Sequence, residues 1–453
     1  MIVSLAAIAI VFLVAFVVPH RVRLLIAALL VVPQLDTPGL PLTVALLWTI
    51  LTCVLGLLSR GRSRADSPVL TVASLFVIVS VVSLLWALPS GQEEAYISIS
   101  RGVVFVLWLR EMIVVARDDP EFVDKITLWM VPGIVLQSVL SILFRLNPNL
   151  EEQFLRSKVA AITVGPSAEA LYIDAPNNVL DPAKAGGFFV NGNVASMFGA
   201  IAALVLLTAA RRTGRRWVYL VAGLAILGSI ATGSKTAIFL AMGCALALLF
   251  APRVSKGGAL LGVVLAGVAV VASLSIVDEI VQRVAPDFHS ATDVSLDTRT
   301  ELWAVALRVL SESPFFGLGF GGWAEEVGLS LGNAGFRGSV AYAPHNFILD
   351  AWVNSGIAAA VLSVVYIGVA VSFGLRVIRQ QQSARDARTA MLCLCAALWA
   401  SIHGLGDNSG AWGDHRTAMV VAMAFAYLYV MASDPKPTAA EHNRASQSKP
   451  ASR

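Results

Sequence analysis

Charge is what this sequence has least of. Asp, Glu, Lys and Arg make up 14% of its 453 residues and apolar residues 57%, whereas a soluble globular protein carries about 25% charged residues. A larger core cannot explain the deficit, because a soluble surface still has to be wetted, so a membrane protein is expected. Cysteine is scarce too. Cys53, Cys244, Cys393 and Cys395 all lie inside apolar blocks and read as small hydrophobes, not as a disulfide framework or a metal cage. A cleavable secretion signal is not expected either. The first apolar block has no basic segment before it, its Arg21 and Arg23 follow it, and no convincing small-residue cleavage site is present, so it reads as a retained first span. The net charge of +4 says little by itself, and no nucleic-acid partner is expected.

What is present is a series of apolar blocks, roughly 2–18, 24–36, 41–59, 68–88, 102–116, 126–145, 194–210, 217–231, 236–251, 258–276, 346–374, 389–403 and 417–432. Many are near the ~20 residues that cross a bilayer as a helix, and every backbone polar group must be satisfied internally there. The expectation is an all-α, polytopic integral membrane protein with about 12–13 transmembrane helices. Basic residues gather in short loops at His20–Arg23, Arg60–Arg64, Arg211–Arg216, Arg253–Lys256 and Arg376–Arg388. These five fall on one side under this count, which the positive-inside rule makes the cytoplasm. The organisation read from this is N-terminal spans over 1–145, an outer loop over 146–193 and central spans over 194–276. A large outer loop follows over 277–345, then C-terminal spans over 346–433 and a polar, disordered cytoplasmic tail over 434–453.

The large loop carries its own helix signal. Thr298-Arg299-Thr300-Glu301 fits a capping box ahead of the apolar run Leu302, Trp303, Val305, Ala306, Val309 and Leu310, and Pro314 ends it. A cation in a first helical turn opposes the macrodipole. Arg299 is therefore either an anion ligand sharing its guest with free backbone N–H groups or an exposed arginine on a loop helix. Lys235, in Thr232-Gly-Ser-Lys-Thr236, sits at the outer mouth of an apolar block. It either meets phosphate there or snorkels to the interface. A phosphate loop is rejected, because Ser234 interrupts the Gly-Lys pair.

The string Gly317-Leu-Gly319-Phe-Gly-Gly322 satisfies the spacing of a dinucleotide loop but lacks the strand–turn–helix setting that such a loop needs, and reads as a turn. His345 opens the next span after Pro344 and can serve as a general base or merely as an interfacial residue. His289, His403 and His415 show no metal-ligand spacing, so no metal site is expected. Arg110-Glu111, inside a block, reads as a paired polar contact within the bundle.

In order along the chain, four strings resemble the O-antigen ligase and O-antigen polymerase-like superfamily of bacterial envelope glycosyltransferases. They are Gly187-Phe-Phe-Val-Asn191-Gly-Asn193; Thr232-Gly-Ser-Lys-Thr-Ala237; Arg299-x-x-x-Trp303 with Pro314-x-x-Gly317-x-Gly319; and Pro344-His345-Asn346-x-x-Leu349 with Asn354-Ser-Gly356. The resemblance covers roughly residues 185–375. It implies a GT-C-like membrane enzyme without a cofactor or metal, sitting in the inner membrane with its active site on the extracytoplasmic face. The implied donor is a polyprenyl-diphosphate-linked glycan and the implied acceptor a glycan or glycolipid of the envelope.

On this reading His345, Arg299 and Lys235 are catalytic, and Asn346, Trp303, Asn193, Gly317 and Gly319 contact substrate. The family usually carries arginine where this chain has Lys235, and lysine lacks the bidentate fork suited to phosphate. Ligase and polymerase differ only in acceptor, which no motif reads. A transporter, which would show broken helices or repeats meeting at mid-membrane, is the alternative from another class; an envelope scaffold is a third.

Overall fold

The structure, a computed structural model, describes residues 2–36, 42–60, 65–87, 92–164, 184–254, 286–323, 326–327, 344–407 and 410–433. Among these residues the chain is all-α. The helices are α1 (Ile2–Val17), α2 (His20–Leu29), α3 (Val44–Arg60), α4 (Pro68–Val82), α5 (Gln92–Asp118), α6 (Pro120–Leu146), α7 (Pro148–Leu155) and α8 (Lys158–Thr163). They continue with α9 (Gly192–Thr213), α10 (Arg216–Ala231), α11 (Lys235–Val254), α12 (Pro286–Glu312), α13 (Phe347–Ser355), α14 (Ile357–Gln380), α15 (Ala384–His403) and α16 (His415–Ser433). Six are long and apolar enough to cross a membrane: α4 with its 3₁₀ extension to Trp86, α6, α9, α11, α14 and α16. Val44–Ser59 and α10 are shorter apolar helices. The chain is a multi-pass membrane protein. The apolar block at 258–276 lies outside the described residues.

Side-chain size decides which helices are central. The helix α16 presents Ala418, Ala422, Ala424 and Ala426, and α9 presents Gly199, Ala200, Ala202 and Ala203, all of them buried. Small residues let helix backbones approach closely where no water drives association. A Cβ on Gly199 would come within 3.2 Å of the Ser229 Cβ on α10. By contrast α4 and α11 are buried along little of their length, and α4 turns Leu75, Ile78, Val81 and Val82 outward as a lipid-facing surface would.

Several charged groups inside the bundle are paired, Arg110 and Glu111 among them as expected. Their ion pair is 2.7 Å long, and His20 Nε2 lies 3.1 Å from the same carboxylate. Arg21–Asp119 at 2.7 Å, Arg212–Asp124 at 3.3 Å and Arg211–Thr389 at 3.3 Å tie several basic connections together at one end of the bundle. Since α9 and α16 run toward that end and α15 runs away from it, the residues of interest collect at the other end.

Three expectations change. The block 24–36 is helical only to Leu29. The block 346–374 is not one span: the chain breaks at Gly356, which takes φ +80° and separates α13 from α14. Finally, Thr298-Arg299-Thr300-Glu301 is no capping box, because α12 begins at Pro286 and carries these residues in its middle. Pro286 and Asp287 supply an earlier start, proline at the first helical position and an acidic first turn, and no proline interrupts the helix before Pro314. Arg299 therefore has no unsatisfied backbone N–H groups beside it, and any anion there is held by the guanidinium.

Candidate active site

His345 is held by its neighbours on both sides. The Trp303 indole Nε1 donates to the Pro344 carbonyl at 2.6 Å, and the Phe347 N–H donates to the Gly404 carbonyl at 2.9 Å. Asn346 is the N-cap of α13, its Oδ1 accepting from the N–H groups of Ile348 at 3.0 Å and Leu349 at 3.2 Å. An asparagine cap is worth about 1 kcal/mol. Here it also fixes the helix entrance at the residue after the histidine. His345 itself takes φ +50°, a left-handed conformation that costs a non-glycine residue about 1–3 kcal/mol. The strain is maintained by the flanking contacts, and it turns the imidazole toward the end of α15.

There it meets a carboxylate. Asp407 follows α15 in a turn closed by the Gly406 N–H donating to the His403 carbonyl at 3.1 Å. His403, fully buried, donates from Nε2 to Asp407 Oδ2 at 3.2 Å. The other oxygen, Oδ1, stands 3.9 Å from His345 Nδ1. Arg299 closes the group: a Cβ added to Gly406 would lie 3.9 Å from its Nη1. Burial pushes the His345 pKa below its ordinary value, Asp407 pulls it back up, and the positive charge of Arg299 lowers it again.

Among the described residues, Arg299 Nε, His345 Nδ1 and His403 Nδ1 are buried without a hydrogen-bond partner. Such atoms are uncommon in native proteins, and each asks for an explanation; of the three, His345 Nδ1 faces Asp407, and the other two belong to the residues packed beside that carboxylate. Chemically, it combines a neutral imidazole able to accept a proton with a fixed cation beside it.

The glycine-rich turn packs against α13. Trp352 Nε1 donates to the Pro314 carbonyl at 2.7 Å, the Leu318 N–H to the Val353 carbonyl at 2.7 Å, and the Gly321 N–H to Asn354 Oδ1 at 3.2 Å. Gly317 and Gly319 have φ of +67° and +83°, and a Cβ on them would fall 2.3 Å from the Val353 carbonyl oxygen and 2.6 Å from the Ala87 Cα. Gly317 thus permits the close approach of the turn to α13, and Gly319 its approach to Ala87 beyond α4. With α12 in front of the turn, a dinucleotide-loop setting is absent.

Asn193 and Lys235 follow two segments that pack on one another. Asn191 Oδ1 accepts from the Asn193 N–H at 2.8 Å and caps α9. Gly192 lies against the Thr232 carbonyl, where a Cβ would fit at only 2.9 Å, and the Ala185 N–H donates to the same oxygen at 3.3 Å. The segment 184–193 thus rests on the turn that leads into Lys235, the half-buried first residue of α11. Glu151 secures this segment by accepting from the N–H groups of Gly186 at 2.7 Å and Gly187 at 3.0 Å. Burial raises its pKa, and those two bonds work against the rise.

The stretch from Gly404 to Arg416 touches both the His345 site and the segment 184–193. It carries Asp407 at one end, while at the other Arg416 donates to the Phe188 carbonyl at 2.7 Å and lies 4.4 Å above the Phe189 ring. So Arg299, Trp303, His345 and Asn346 are brought together directly, and the stretch also reaches Phe188 and Phe189, in the segment that precedes Asn193. Asp407 and the partnering role of His403 were missed in the sequence. The signal was a histidine and an aspartate four residues apart in a Gly-rich stretch between two spans.

Residues 220–364 match a protein-family model described as O-antigen ligase. That segment holds three of the four motif groups, from Thr232 to Gly356, and the match supports the O-antigen ligase and polymerase-like superfamily, a family of membrane glycan-processing enzymes. No curated protein matches the chain.

Proposed function

We propose that the protein transfers or polymerises a glycan, taking it from a polyprenyl-diphosphate-linked donor to an envelope acceptor at the extracytoplasmic face of the inner membrane. The observation that carries this reading is the convergence of His345, Asp407 and Arg299 at the end of the bundle away from most of the basic connections. In the reaction an acceptor hydroxyl attacks the anomeric carbon. The bond from that carbon to the diphosphate oxygen breaks, and the electron pair leaves with the lipid diphosphate. His345 accepts the hydroxyl proton, which needs an imidazole that is neutral near pH 7. Arg299 and Lys235 stabilise the charge that develops on the leaving diphosphate, the largest electrostatic demand of the step. Trp303 and Asn346 hold the histidine loop, Gly317 brings the glycine-rich turn onto the helix that follows it, and Asn193 lies on a segment that packs against the turn leading into Lys235. Attack opposite the leaving group inverts the anomeric centre.

Among the described residues the helix break at Gly356 is a feature that favours a transporter, since unwound helices form transport sites. A packing cause accounts for it: a Cβ on Gly356 would lie 2.1 Å from the Phe315 carbonyl oxygen, so the break follows the docking of the glycine-rich turn. The test supplies purified protein with a polyprenyl-diphosphate-linked oligosaccharide and an envelope glycolipid, and measures released polyprenyl diphosphate and product length. Release that depends on His345 and Arg299 supports transfer, and product length separates ligase from polymerase. Glycan crossing a vesicle membrane without release would defeat the reading.

A further inference from the structure

Arg101 is a cation that neither the motifs nor the resemblance assigns. It lies ten residues into α5, half-buried, and among the described residues it donates no hydrogen bond and forms no ion pair. Its charge is felt at His415 and Arg416, where Asp414, already 3.5 Å from Arg416, is the nearby acid. Membrane topology supplies no reason for an arginine here, since α5 runs from this end toward the basic one. An ionisable residue within a spanning bundle is rare and points to function.

Arg101 lines a cavity of about 110 Å³. One wall is Phe347, Asp350 and Ala351, the start of the helix that His345 opens; another is Gly410–Gly413, just beyond Asp407. The cavity therefore backs onto the two segments that build the candidate site. Its third wall is Phe76 and Val77 of α4, the helix whose other face is lipid-exposed. The acid in the lining, Asp350, accepts a hydrogen bond from Asn354 Nδ2 at 2.9 Å. An unpaired guanidinium next to apolar walls, at the edge of the bundle and beside the reacting centre, matches the junction between an anionic head and a hydrocarbon tail.

The geometry points to Arg101 as a ligand of the donor's lipid-proximal phosphate, with Phe76 and Phe347 against the first isoprenoid unit. This rests on the lipid-diphosphate reading above and adds a residue and a route of approach, between α4 and α5. Arg101 positions the leaving group, while Arg299 and Lys235 act at the phosphate joined to the sugar.

The test is binding of geranylgeranyl diphosphate to the full-length protein in detergent, with geranylgeraniol and inorganic pyrophosphate as the tail-only and head-only probes. The wild type is expected to prefer the diphosphate lipid over both. Arg101→Gln is expected to weaken that binding about ten- to hundredfold, the range for losing a charged hydrogen bond, and Arg101→Lys several-fold, because it keeps charge without the fork. Melting temperature and gel-filtration profile establish that each variant is assembled, and Arg101→Lys decides the matter if Arg101→Gln is not. Equal binding by wild type and assembled Arg101 variants overturns this inference while leaving the donor reading standing. No binding to the wild type overturns both. Pyrophosphate binding as tightly as the prenyl diphosphate overturns the apolar part.

Discussion

Asp407 stands between two histidines, bonded to His403 Nε2 at 3.2 Å and 3.9 Å from His345 Nδ1. The buried pair fixes the carboxylate, and the longer contact is one that closes when the imidazole gains a proton and a positive charge. Catalytic hydrogen bonds are often long before substrate binds. Asp407→Asn keeps the shape and removes the charge. It is expected to lower the rate of polyprenyl diphosphate release roughly 10²-fold with little change in donor binding. A rate within a few-fold of wild type would remove Asp407 from the mechanism.

The same contact sets the pH dependence. His345 titrates below its ordinary value of 6.5, through burial and Arg299 and against the pull of Asp407. The base works when neutral, so the rate should rise with pH through a pKa under 6.5 and be level at pH 7. Removing Asp407 takes away an interaction that raises the pKa, so the acid limb of Asp407→Asn should lie at lower pH than that of wild type. The pH–rate profile of released lipid diphosphate checks the sign; a limb displaced upward contradicts the assignment.

Much of the architecture was legible in apolar runs, because a bilayer admits helices and little else. The pairing of Arg110 with Glu111 was legible for a related reason: an unpaired charge inside is costly. What the sequence hid were events that depend on distant partners. The start of α12 at Pro286 competes with the Thr298 signal, and nothing local to Thr298 reveals that the helix is already under way. The break at Gly356 is imposed by the Phe315 carbonyl, forty-one residues earlier. Asp407 was hidden because its meaning comes from His345, which reaches it only after α13, α14 and α15 have packed.

That break gives a stability prediction. Gly356→Ala places a Cβ 2.1 Å from the Phe315 oxygen at φ +80°, so either the glycine-rich turn or α13 must move. The expected loss is at least about 2 kcal/mol, combining strain with displaced packing, seen as a lower melting temperature in detergent. Gly223→Ala in α10 is the control. Its Cβ meets nothing within 4 Å, and alanine is the better helix former by roughly 0.5–1 kcal/mol. Equal melting temperatures for the two variants would mean that the turn does not dock on α13 as described.

Lys235 offers the sharpest test of the anion site, because the resembling family usually has arginine in its place. Lysine presents a compact point charge and arginine a planar fork that grips two phosphate oxygens. If Lys235 faces the donor diphosphate, Lys235→Arg should keep activity within a few-fold and tighten donor binding, while Lys235→Ala should lower the release rate about 10²-fold, as expected for losing a charge at the developing anion. If the side chain merely snorkels, it contributes apolar stem and interface contact, and Lys235→Met should then behave like wild type. The comparison of arginine, methionine and alanine at this one position separates charge from bulk. Activity in Lys235→Met equal to that of wild type would take Lys235 out of the site and leave the diphosphate to Arg299 and Arg101.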